Sequence, residues 1–530
     1  MNILIAEALA PAAMELLRSE PGWTIIASNP KEFRAHLAEA EALIVRSAAK
    51  VTAETLAQAP NLRVIGRAGV GIDNIDLPAA TECGVLVMNT PGGNAVSVAE
   101  HTLALMLSLA RSIPQASAST RAGRWEKKKF LGNELRGKTL GVIGLGNIGA
   151  AVVRLARPFG MKIIAHDPYV APQIASDEGT ELVPLEDLYA RSDYITLHVS
   201  LTPQTNNMLN RAAFARMKHG VRIVNCARGE LIDAAALEEA MASGKVAGAA
   251  LDVFSPEPPP KDFPLFAQEN LIATPHIAGS TEEAQEIVSL RIAEQIREYL
   301  KSGVAVNAVN LPAVTAEEFR HLRPYVQLAT RLGAFAAQIS AGNPRGVRLI
   351  YSGKLAESNT NLIRNAALAG MLNQFLSQRA NLVNAAQIAA ARGWRIDEIR
   401  GARLPYADSI SVVLATDRGE SAVEGAVLLN DSPRLLSVDG IQVEAPLRGH
   451  LVYMRNWDVP GVIGRVGTIL GENKINIANF SLGRRENHAR PADPADAVAV
   501  VHIDEPVGEP VLDQLRRSPG VMFACAVELD

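Results

Sequence analysis

The strongest constraint on the fold of this chain is an alternation of short apolar runs with amphipathic helical runs, which extends to about residue 310. The first block contains NILIA, TIIAS, ALIVRS, RVIGRAG and GVLVMN; the second contains KTLGVIG, MKIIAHD, YITLHV, VRIVNCA, VAGAALD and LIATPH. A long apolar helical stretch, Val96 to Ile113, separates the two blocks. Strands that are apolar along most of their length and separated by helices form parallel sheets covered on both faces. The sequence therefore predicts two doubly wound, Rossmann-like α/β domains in succession.

The pattern changes near residue 310. A proline-containing connector, VNAVNLPAVTAEEF, leads into long helices rich in Ala, Asn and Leu. PRLLSVDGIQVEAPLRG is typical of a β-hairpin with its turn at Asp439-Gly440. The last eighty or so residues follow a βαββα-like order. We predict an α+β domain over residues 315–449 and a small ferredoxin-like domain over residues 450–530.

Composition excludes several classes of function. The chain of 530 residues is 48% hydrophobic and has a net charge of −4, which indicates neither a nucleic-acid partner nor a disordered tail. Three cysteines without paired spacing favour neither a disulfide framework nor a metal site. The 96–113 stretch is interrupted by charges and is shorter than the roughly 20 apolar residues of a membrane span. With no basic leader at the N-terminus, we expect a soluble, cytoplasmic protein.

A glycine-rich turn marks a candidate cofactor site. Gly144, Gly146 and Gly149 follow a predicted strand, open a helix, and match the pattern G-x-G-x-x-G. The next strand ends at Asp167, close to the spacing of about 20 residues that is typical of dinucleotide-binding folds. The helix N-terminus offers N–H donors to a pyrophosphate, and Asp167 can accept both ribose hydroxyls but would repel a 2′-phosphate. The sequence predicts NAD rather than NADP; a purely structural turn with a surface aspartate is the alternative.

Three polar residues follow later strands of the second block. Arg228 lies in VNCARGELID, Glu257 in LDVFSPEPP and His276 in ATPHIAGST, each just past a strand end where open α/β sheets bind ligands. Oxidising a 2-hydroxy acid requires a base, a carboxylate that orients it, and a cation for the substrate carboxylate. Each residue alone is as readily a structural histidine, a solvated glutamate or a surface ion-pair partner. Together, downstream of the glycine turn, they favour a catalytic set.

These motifs resemble the D-isomer-specific 2-hydroxyacid dehydrogenases, and the resemblance covers residues 1–310. In that family the Arg, Glu and His take the roles given above. The resemblance implies a discontinuous substrate-binding domain, residues 1–97 and 285–312, with an NAD-binding domain, residues 98–284, inserted between the two parts. It also implies further cofactor contacts from Asn147, Ile148, Ala227, Asp252, Ala278 and Gly279.

Other stretches are similar to the family members that act on 3-phosphoglycerate. They are LIVRSAAKVT, IGRAGVGIDNID and TPGGNAVSVAEHT. By this resemblance Arg46 and Arg67 contact the phosphate or the carboxylate, and Gly69, Val70 and Asn94 help to seat the substrate. Two arginines at strand ends suit an anionic substrate, although each alone could pair with a surface carboxylate.

The basic segment RAGRWEKKKF follows the long helix. In relatives this region packs across a dimer interface, so Lys127 or Lys129 is a candidate to enter a neighbouring cleft; a solvated charged face is the alternative. We expect a homodimer or homotetramer. Cys226, beside Asn225 at a strand end, is interpreted as packing near the nicotinamide pocket without chemistry of its own.

The C-terminal stretch from His450 to Arg485 resembles an ACT domain, a small module that binds amino acids. Asp458 can accept from an ammonium group and Asn476 can offer an amide, or the two can simply cap a helix and end a loop. L-serine is the candidate ligand, with Asn456 as a third contact. Asn456 stands where relatives tend to carry His or Tyr. Residues 315–450 resemble the intervening domain of long family members, where the role is regulation or assembly.

Taken together, these resemblances imply NAD-dependent oxidation of 3-phosphoglycerate to 3-phosphohydroxypyruvate, the first step of L-serine biosynthesis. One alternative is a reductase of glyoxylate, hydroxypyruvate or 2-oxoglutarate within the same family. A second, from a different class, is a non-catalytic, NAD-sensing corepressor of the same fold.

Overall fold

The computed structural model describes the chain at all residues except 172, 174–178, 313, 378, 402–407, 429–430, 486–494 and 530. Its described strands form four sheets, one after another along the sequence. The two parallel sheets come first, and the two sheets that contain antiparallel pairs follow.

The first sheet is wholly parallel, with the order β2-β1-β3-β4-β5. Its strands are β1 (Asn2–Ile5), β2 (Thr24–Ala27), β3 (Ala42–Val45), β4 (Val64–Arg67) and β5 (Leu86–Met88). The central strands β3 and β4 are buried almost along their whole length, as expected of a sheet covered on both faces.

The second sheet is also parallel, with the order β12-β11-β10-β9-β6-β7-β8. Its strands are β6 (Thr139–Ile143), β7 (Lys162–His166), β8 (Glu181–Leu182), β9 (Tyr194–Leu197), β10 (Val221–Asn225), β11 (Val246–Leu251) and β12 (Leu271–Ala273). The predicted α/β class with two Rossmann-like sheets is confirmed. Only the two-residue edge strand β8 has no counterpart among the predicted strands.

Helices cover both parallel sheets. Within residues 1–302 they are Pro11–Arg18, Ala53–Ala57, Leu77–Glu82, Ala95–Arg111, Ile113–Arg121, Asn147–Ala156, Leu185–Arg191, Arg211–Arg216, Ala234–Ala242 and Glu282–Ser302. Short 3-10 turns lie at Phe33–Glu39, Arg157–Phe159, Gly229–Leu231 and Pro264–Ala267. The long apolar helix ends at Arg111, because Ser112 adopts a left-handed conformation (φ 48°) and the chain restarts as a second helix.

The return helix (Glu282–Ser302) leads the chain back to the first sheet. Val288, Ile292 and Ile296 on one face of it are buried in the same core as Ile3 and Val64. The helix Ala95–Arg111 instead packs with the second sheet, where Met106 shares a core with Val142. This arrangement supports the proposed discontinuous substrate-binding domain, whose exact boundaries stay a prediction.

The third sheet has the order β14-β13-β15-β16-β17-β18 and is mixed, because β13 and β14 are parallel. Its strands are β13 (Pro344–Ser352), β14 (Arg395–Arg400), β15 (Ser409–Thr416), β16 (Gly419–Leu428), β17 (Ser432–Val438) and β18 (Ile441–Pro446). The associated helices are Ala316–Ile339, Asn361–Phe375 and Ala385–Ala391, with a 3-10 turn at Gly353–Glu357. The predicted hairpin is confirmed: Asp439 (φ 50°) and Gly440 (φ 76°) make the tight turn between β17 and β18.

The fourth sheet is antiparallel with the order β20-β21-β19-β22. Its elements alternate in the βαββαβ sequence: β19 (Gly449–Trp457), the helix Val462–Glu472, β20 (Ile477–Arg484), β21 (Asp496–Ile503), the helix Glu509–Arg516 and β22 (Val521–Leu529). This is the ferredoxin-like arrangement expected of an ACT domain.

The connecting helix (Ala316–Ile339) joins the catalytic and C-terminal parts. At its start Phe319 is buried in the core of the first sheet. Farther along, Phe335 packs edge-on against Tyr453 of the fourth sheet, with ring centroids 5.8 Å apart. Near its end the Gln338 side chain bonds both backbone groups of Glu528, each at 2.9 Å. The third and fourth sheets thus share one core. No helix in the described parts of the chain is long and apolar enough to cross a membrane.

The connecting helix packs against the helix Asn361–Phe375 with the two backbones in direct contact. A Cβ added at Gly370 would lie 2.0 Å from the carbonyl oxygen of Thr330, and one at Gly333 would lie 2.2 Å from that of Ala367. Reciprocal glycines therefore set the separation of the two helices.

We predict that Gly370→Ala lowers the unfolding free energy of this part of the chain by about 1–3 kcal/mol, because the helices must separate. The matched control is Gly467→Ala in the helix Val462–Glu472, where an added Cβ meets nothing within 4 Å. There the better helix propensity of alanine should be neutral or stabilising. Thermal unfolding followed by circular dichroism compares the two; equal midpoints for both variants would contradict the close-packing account.

Candidate active site

A cleft of about 1010 Å³ opens where the two parallel sheets face each other. Its walls come from segments that follow strands of both sheets, in the position where open α/β sheets bind ligands. The predicted site residues that line it are Arg46, Arg67, Gly69, Val70, Asn94, Gly146, Asn147, Ile148, Ala227, Arg228, Glu257, His276, Ala278 and Gly279. Gly144, Gly149, Asp167 and Asp252 are not among the lining residues.

The glycine turn joins β6 to the helix Asn147–Ala156. A Cβ at Gly149 would lie 2.0 Å from the carbonyl oxygen of Gly144, so this glycine lets the helix pack tightly on the turn. A Cβ at Gly146 would meet nothing within 4 Å, which leaves open space in front of the turn. Gly146 is the N-cap residue, and no side chain caps the helix. The free N–H groups at this end suit a pyrophosphate.

Asp167 directly follows β7, beside the glycine turn. One of its oxygens accepts a hydrogen bond of 2.8 Å from the backbone N–H of Leu145, and the other accepts one of 2.9 Å from that of Tyr169. The carboxylate is thus held at the rim of the turn, where a ribose attached to the pyrophosphate would lie. Together with the open glycine turn, this position fits NAD.

Asp252 holds a loop of the cleft in place, and the cofactor contact that the resemblance implies for it stays a prediction. It is fully buried, and its oxygens accept from the Thr274 hydroxyl (2.6 Å) and from the backbone N–H groups of Ile277 (2.9 Å) and Ala278 (2.8 Å). Burial would raise its pKa, but these bonds and the contact with His101 hold the pKa below its usual range. Its carbonyl oxygen also accepts from the backbone N–H of His276, 2.8 Å away. Asp252 therefore fixes the loop that carries His276.

His276 and Glu257 form the central polar pair. The Nδ1 atom of His276 lies 2.8 Å from Glu257 Oε2, while Glu257 Oε1 accepts from the backbone N–H of Phe254 at the same distance. His276 has a left-handed backbone (φ 53°), uncommon for a residue with a side chain and found mostly where the surroundings enforce it. The carboxylate occupies Nδ1, so Nε2 is the nitrogen left to meet a substrate.

His276 and Glu257 shift each other's pKa in opposite directions. The hydrogen bond to Glu257 raises the pKa of His276 above its ordinary value, against the opposing effect of burial. Burial would raise the pKa of Glu257, but the bonds from His276 and Phe254 outweigh it and lower that pKa. At neutral pH the carboxylate is therefore charged and stabilises the imidazolium form of its partner.

Arg228 follows β10 on a turn built by Asn225. The Asn225 side chain, almost fully buried, donates to the carbonyl oxygen of Arg228 (2.8 Å) and accepts from the N–H of Ala227 (3.0 Å). A Cβ at Gly229 would lie 2.1 Å from the backbone of Phe254, so glycine allows the Arg228 turn to approach the loop of Glu257. The three predicted catalytic residues thus meet in one cleft.

The predicted substrate arginines come from the first sheet. Arg67 ends β4; its Nε is buried and has no hydrogen-bond partner in the part of the chain that the structure describes. Burial, together with the nearby charge of Arg228, lowers the pKa of Arg67 to about 10. Arg46 follows β3, and its Nη1 lies 3.3 Å from the carbonyl oxygen of Ala8. Both side chains remain available to an anion.

Gly69, Val70 and Asn94 lie in the same wall. A Cβ at Gly69 would lie 1.9 Å from Arg67 Nη1, so glycine leaves room for this guanidinium. The carbonyl oxygen of Val70 accepts a 2.5 Å hydrogen bond from the Asn89 side chain. Asn94 approaches Gly279, which brings a predicted substrate residue against a predicted cofactor residue.

Two acidic residues that the sequence did not single out organise this wall. Glu7, just after β1, accepts from the backbone N–H groups of Arg46 (2.9 Å), Ala48 (3.1 Å) and Ala49 (2.9 Å). Asp73 lies 2.8 Å from Arg228 Nη2. Glu7 could have been predicted as a site residue, because it follows an apolar strand directly. The sequence around Asp73 gives no indication that it pairs with Arg228.

Cys226 is buried at the cleft wall. Burial raises the pKa of its thiol to about 12, so the thiol is neutral at physiological pH. This supports a packing role and leaves it without nucleophilic character. Lys129 lies 3.6 Å from Glu269 of the same chain, and whether Lys127 or Lys129 enters a neighbouring cleft stays a prediction.

The three predicted effector residues do not meet within one chain. Asn456 is buried and donates to the carbonyl oxygen of Trp457 (2.9 Å), while Asp458 lies 3.6 Å from Arg484. Asn476 donates to Asp504 at 2.6 Å, at the other end of the sheet. The backbone partners of Asp458 and Asn476, Ala495 and Asp504, flank β21 and are nine residues apart, a separation of about 30 Å in an extended strand. One small ligand cannot touch both ends in a single chain.

Comparison with known proteins places these features in context. Three family models match: the NAD-binding domain of D-isomer-specific 2-hydroxyacid dehydrogenases at residues 103–278, the D-3-phosphoglycerate dehydrogenase intervening domain at 321–439, and the ACT domain at 451–520. D-3-phosphoglycerate dehydrogenases of Methanocaldococcus jannaschii and Archaeoglobus fulgidus are 43% and 41% identical, each match covering 100% of both chains. The structure of Aquifex aeolicus D-lactate dehydrogenase with NAD and lactic acid matches with a TM-score of 0.52 and 31% identity, over 59% of this chain and 100% of that one.

The hydrogen bond between His276 and Glu257 gives a testable titration. Because this bond is the main cause of the raised pKa of His276, Glu257→Gln should move that pKa downward, towards or below the ordinary value of about 6.5. NMR titration of isotope-labelled histidines measures it. Glu239→Gln, which removes a carboxylate paired with the distant Arg211, is the control. An unchanged His276 pKa in Glu257→Gln would contradict the coupling.

Proposed function

This chain belongs to the family of D-3-phosphoglycerate dehydrogenases, and we propose that it oxidises 3-phospho-D-glycerate to 3-phosphohydroxypyruvate with NAD⁺. This reaction opens the route from glycolysis to L-serine. The family membership rests on full-length similarity to D-3-phosphoglycerate dehydrogenases together with the matching NAD-binding, intervening and ACT domains.

The single observation that carries the choice of substrate is Arg67. Its Nε is buried in the cleft wall and lacks a partner among the described residues. An unsatisfied buried N–H is costly unless a ligand supplies the acceptor. Arg46 and Arg228 line the same cleft, so three guanidiniums face a substrate with a phosphate at one end and a carboxylate at the other. A substrate with a single charge, such as lactate, would leave part of this positive charge unmatched.

The chemistry assigns one task to each of the central residues. His276 accepts the proton of the C2 hydroxyl as a general base, through the ring nitrogen that Glu257 leaves free. Glu257 fixes the orientation of the ring and stabilises its positive charge once the proton has moved. Arg228 binds the substrate carboxylate and polarises the carbonyl that develops at C2. NAD, when bound at the glycine turn, supplies the nicotinamide that takes the hydride from C2.

The C-terminal module supports regulation by an amino acid. It belongs to the ACT domains, and L-serine, the end product of the route, is the ligand that we propose. Asp458 and Asn476 lie at opposite ends of the sheet. A small ligand that contacts both residues would therefore lie between two copies of the chain, with Asp458 from one copy and Asn476 from the other. That requirement agrees with the proposed homodimer or homotetramer. A cytoplasmic location suits an enzyme that draws on glycolysis.

Substrate choice is tested by steady-state kinetics that follow NADH formation. We expect kcat/KM for 3-phosphoglycerate to exceed that for D-glycerate, D-lactate and 2-hydroxyglutarate. Arg67→Ala should lower kcat/KM for 3-phosphoglycerate about 10–100-fold, the cost of a lost charge-assisted hydrogen bond. Arg46→Ala should impair the phosphorylated substrate and leave D-glycerate almost unaffected.

The control is Arg63→Ala, which removes an exposed arginine at the opposite end of the strand that carries Arg67. It should behave as the wild type. Faster reduction of glyoxylate or hydroxypyruvate than oxidation of 3-phosphoglycerate would favour the reductase alternative. Failure to turn over any hydroxy acid would favour the corepressor alternative.

Regulation is tested with the same assay in the presence of millimolar L-serine, with L-alanine as the matched control. We expect L-serine to slow the wild type and Asn476→Ala to need a higher concentration for the same inhibition, because it loses an amide donor. Equal rates with and without L-serine would contradict serine regulation and leave the assigned reaction intact.

A further inference from the structure

We propose that Asp73 is a positioning residue for this oxidation: it reaches across the cleft from the first domain and holds the Arg228 guanidinium in the orientation that receives the substrate carboxylate. The inference rests on the proposed function, because it presumes that Arg228 binds that carboxylate. Asp73 follows β4 of the first sheet, whereas Arg228 follows β10 of the second. The contact therefore joins the two halves of the active site.

The contact uses one side of the planar guanidinium. Asp73 Oδ2 accepts from Arg228 Nε at 3.1 Å and from Nη2 at 2.8 Å. The backbone carbonyl of Ala227 accepts from Nη1 at 2.6 Å. An arginine has five N–H donors, so two remain, one on each terminal nitrogen. One remaining N–H on each terminal nitrogen can bind the two oxygens of a carboxylate in a bidentate manner.

Asp73 stands on an anchored turn. Its neighbour Asn74 donates to the carbonyl oxygens of Arg46 (2.8 Å) and Ala49 (2.7 Å), and the Asn74 carbonyl accepts from Val51. The turn is thereby fastened to the segment that carries Arg46. A carboxylate on a fixed turn can restrain a long flexible side chain, as a mobile one cannot.

Gly71 leaves the space that the ion pair occupies. A Cβ added there would lie 2.0 Å from Arg228 Nη2 and 2.7 Å from Asp73 Oδ2. Its φ does not lie in the left-handed range, unlike that of Gly69, so glycine is needed here for room rather than for conformation. Three positions of one short segment, 71, 73 and 74, thus serve the placement of Arg228.

The contact between Asp73 and Arg228 also balances the positive charges in the cleft. Arg228 is close enough to help lower the pKa of Arg67, and the negative charge of Asp73 opposes that effect. Burial would raise the pKa of Asp73, but Arg228 outweighs it and keeps the carboxyl ionised. In the ion pair, 28% of the Arg228 side chain is exposed to solvent. Without Asp73, we expect repulsion from Arg67 to push this side chain farther out of the cleft.

The test compares Asp73→Ala, Asp73→Asn and Asp73→Glu with the wild type. We expect Asp73→Ala to lower kcat/KM for 3-phosphoglycerate at least about 10-fold while KM for NAD⁺ and the thermal midpoint stay close to wild type. Asp73→Asn, whose amide oxygen still accepts a hydrogen bond, should lower kcat/KM less than Asp73→Ala does. Asp73→Glu, which keeps the charge, should also have a higher kcat/KM than Asp73→Ala. Glu239→Gln is the control, since it breaks the ion pair with Arg211 away from the cleft.

A binding measurement separates this inference from the proposed function. Calorimetric titration with oxalate, a small dicarboxylate, in the presence of NADH should show weaker binding to Asp73→Ala than to wild type. No turnover by the wild type would defeat the proposed function, and the oxalate comparison would still decide the role of Asp73. Unchanged kcat/KM and oxalate affinity, tighter oxalate binding, or a loss matched by a fall in the thermal midpoint would each overturn it.

Discussion

The structure depends on the meeting of two parallel sheets at their carboxyl ends, where positive side chains from both are held in one cleft. Arg67 comes from the first sheet and Arg228 from the second, with Asp73 as the acidic group between them. Like charges this close repel each other, so the arrangement is stable only with a counter-charge or an anionic ligand.

The C-terminal part is attached to this cleft through packing as well as through the chain. The connecting helix begins in the core of the first sheet and ends against the fourth. Between the return helix and the connecting helix, the chain lies along β5. The Asn310 side chain bonds the backbone of Val87 and Val85, and the Asn307 carbonyl accepts from the backbone N–H of Asn89. Asn89 in turn holds the Val70 carbonyl in the cleft wall. Packed and hydrogen-bonded segments thus connect the ACT domain with the wall of the cleft.

Much of the fold and site was predictable from local pattern. Apolar runs separated by helical runs define the strands, and the strand ends place Arg228, Glu257 and His276, because parallel strands bring their carboxyl ends to one edge. The rest depends on tertiary contacts that no local pattern contains. Asp73 and Arg228 are 155 residues apart in sequence, and the buried role of Asp252 depends on a loop that folds back over it. Asn456 and Asn476 lie close in sequence but at opposite ends of the sheet, because the helix Val462–Glu472 carries the chain from the end of β19 back to the start of β20.

We propose that the cleft binds both charged ends of one substrate with arginines from two sheets. A crystal structure with 3-phosphoglycerate and NADH tests this most directly. We expect the phosphate at Arg46 and Arg67, the carboxylate on the Arg228 guanidinium with Asp73 still bound to its side, and the C2 hydroxyl within hydrogen-bond distance of His276 Nε2. A phosphate seated on Arg228, or a substrate bound away from His276, would contradict it.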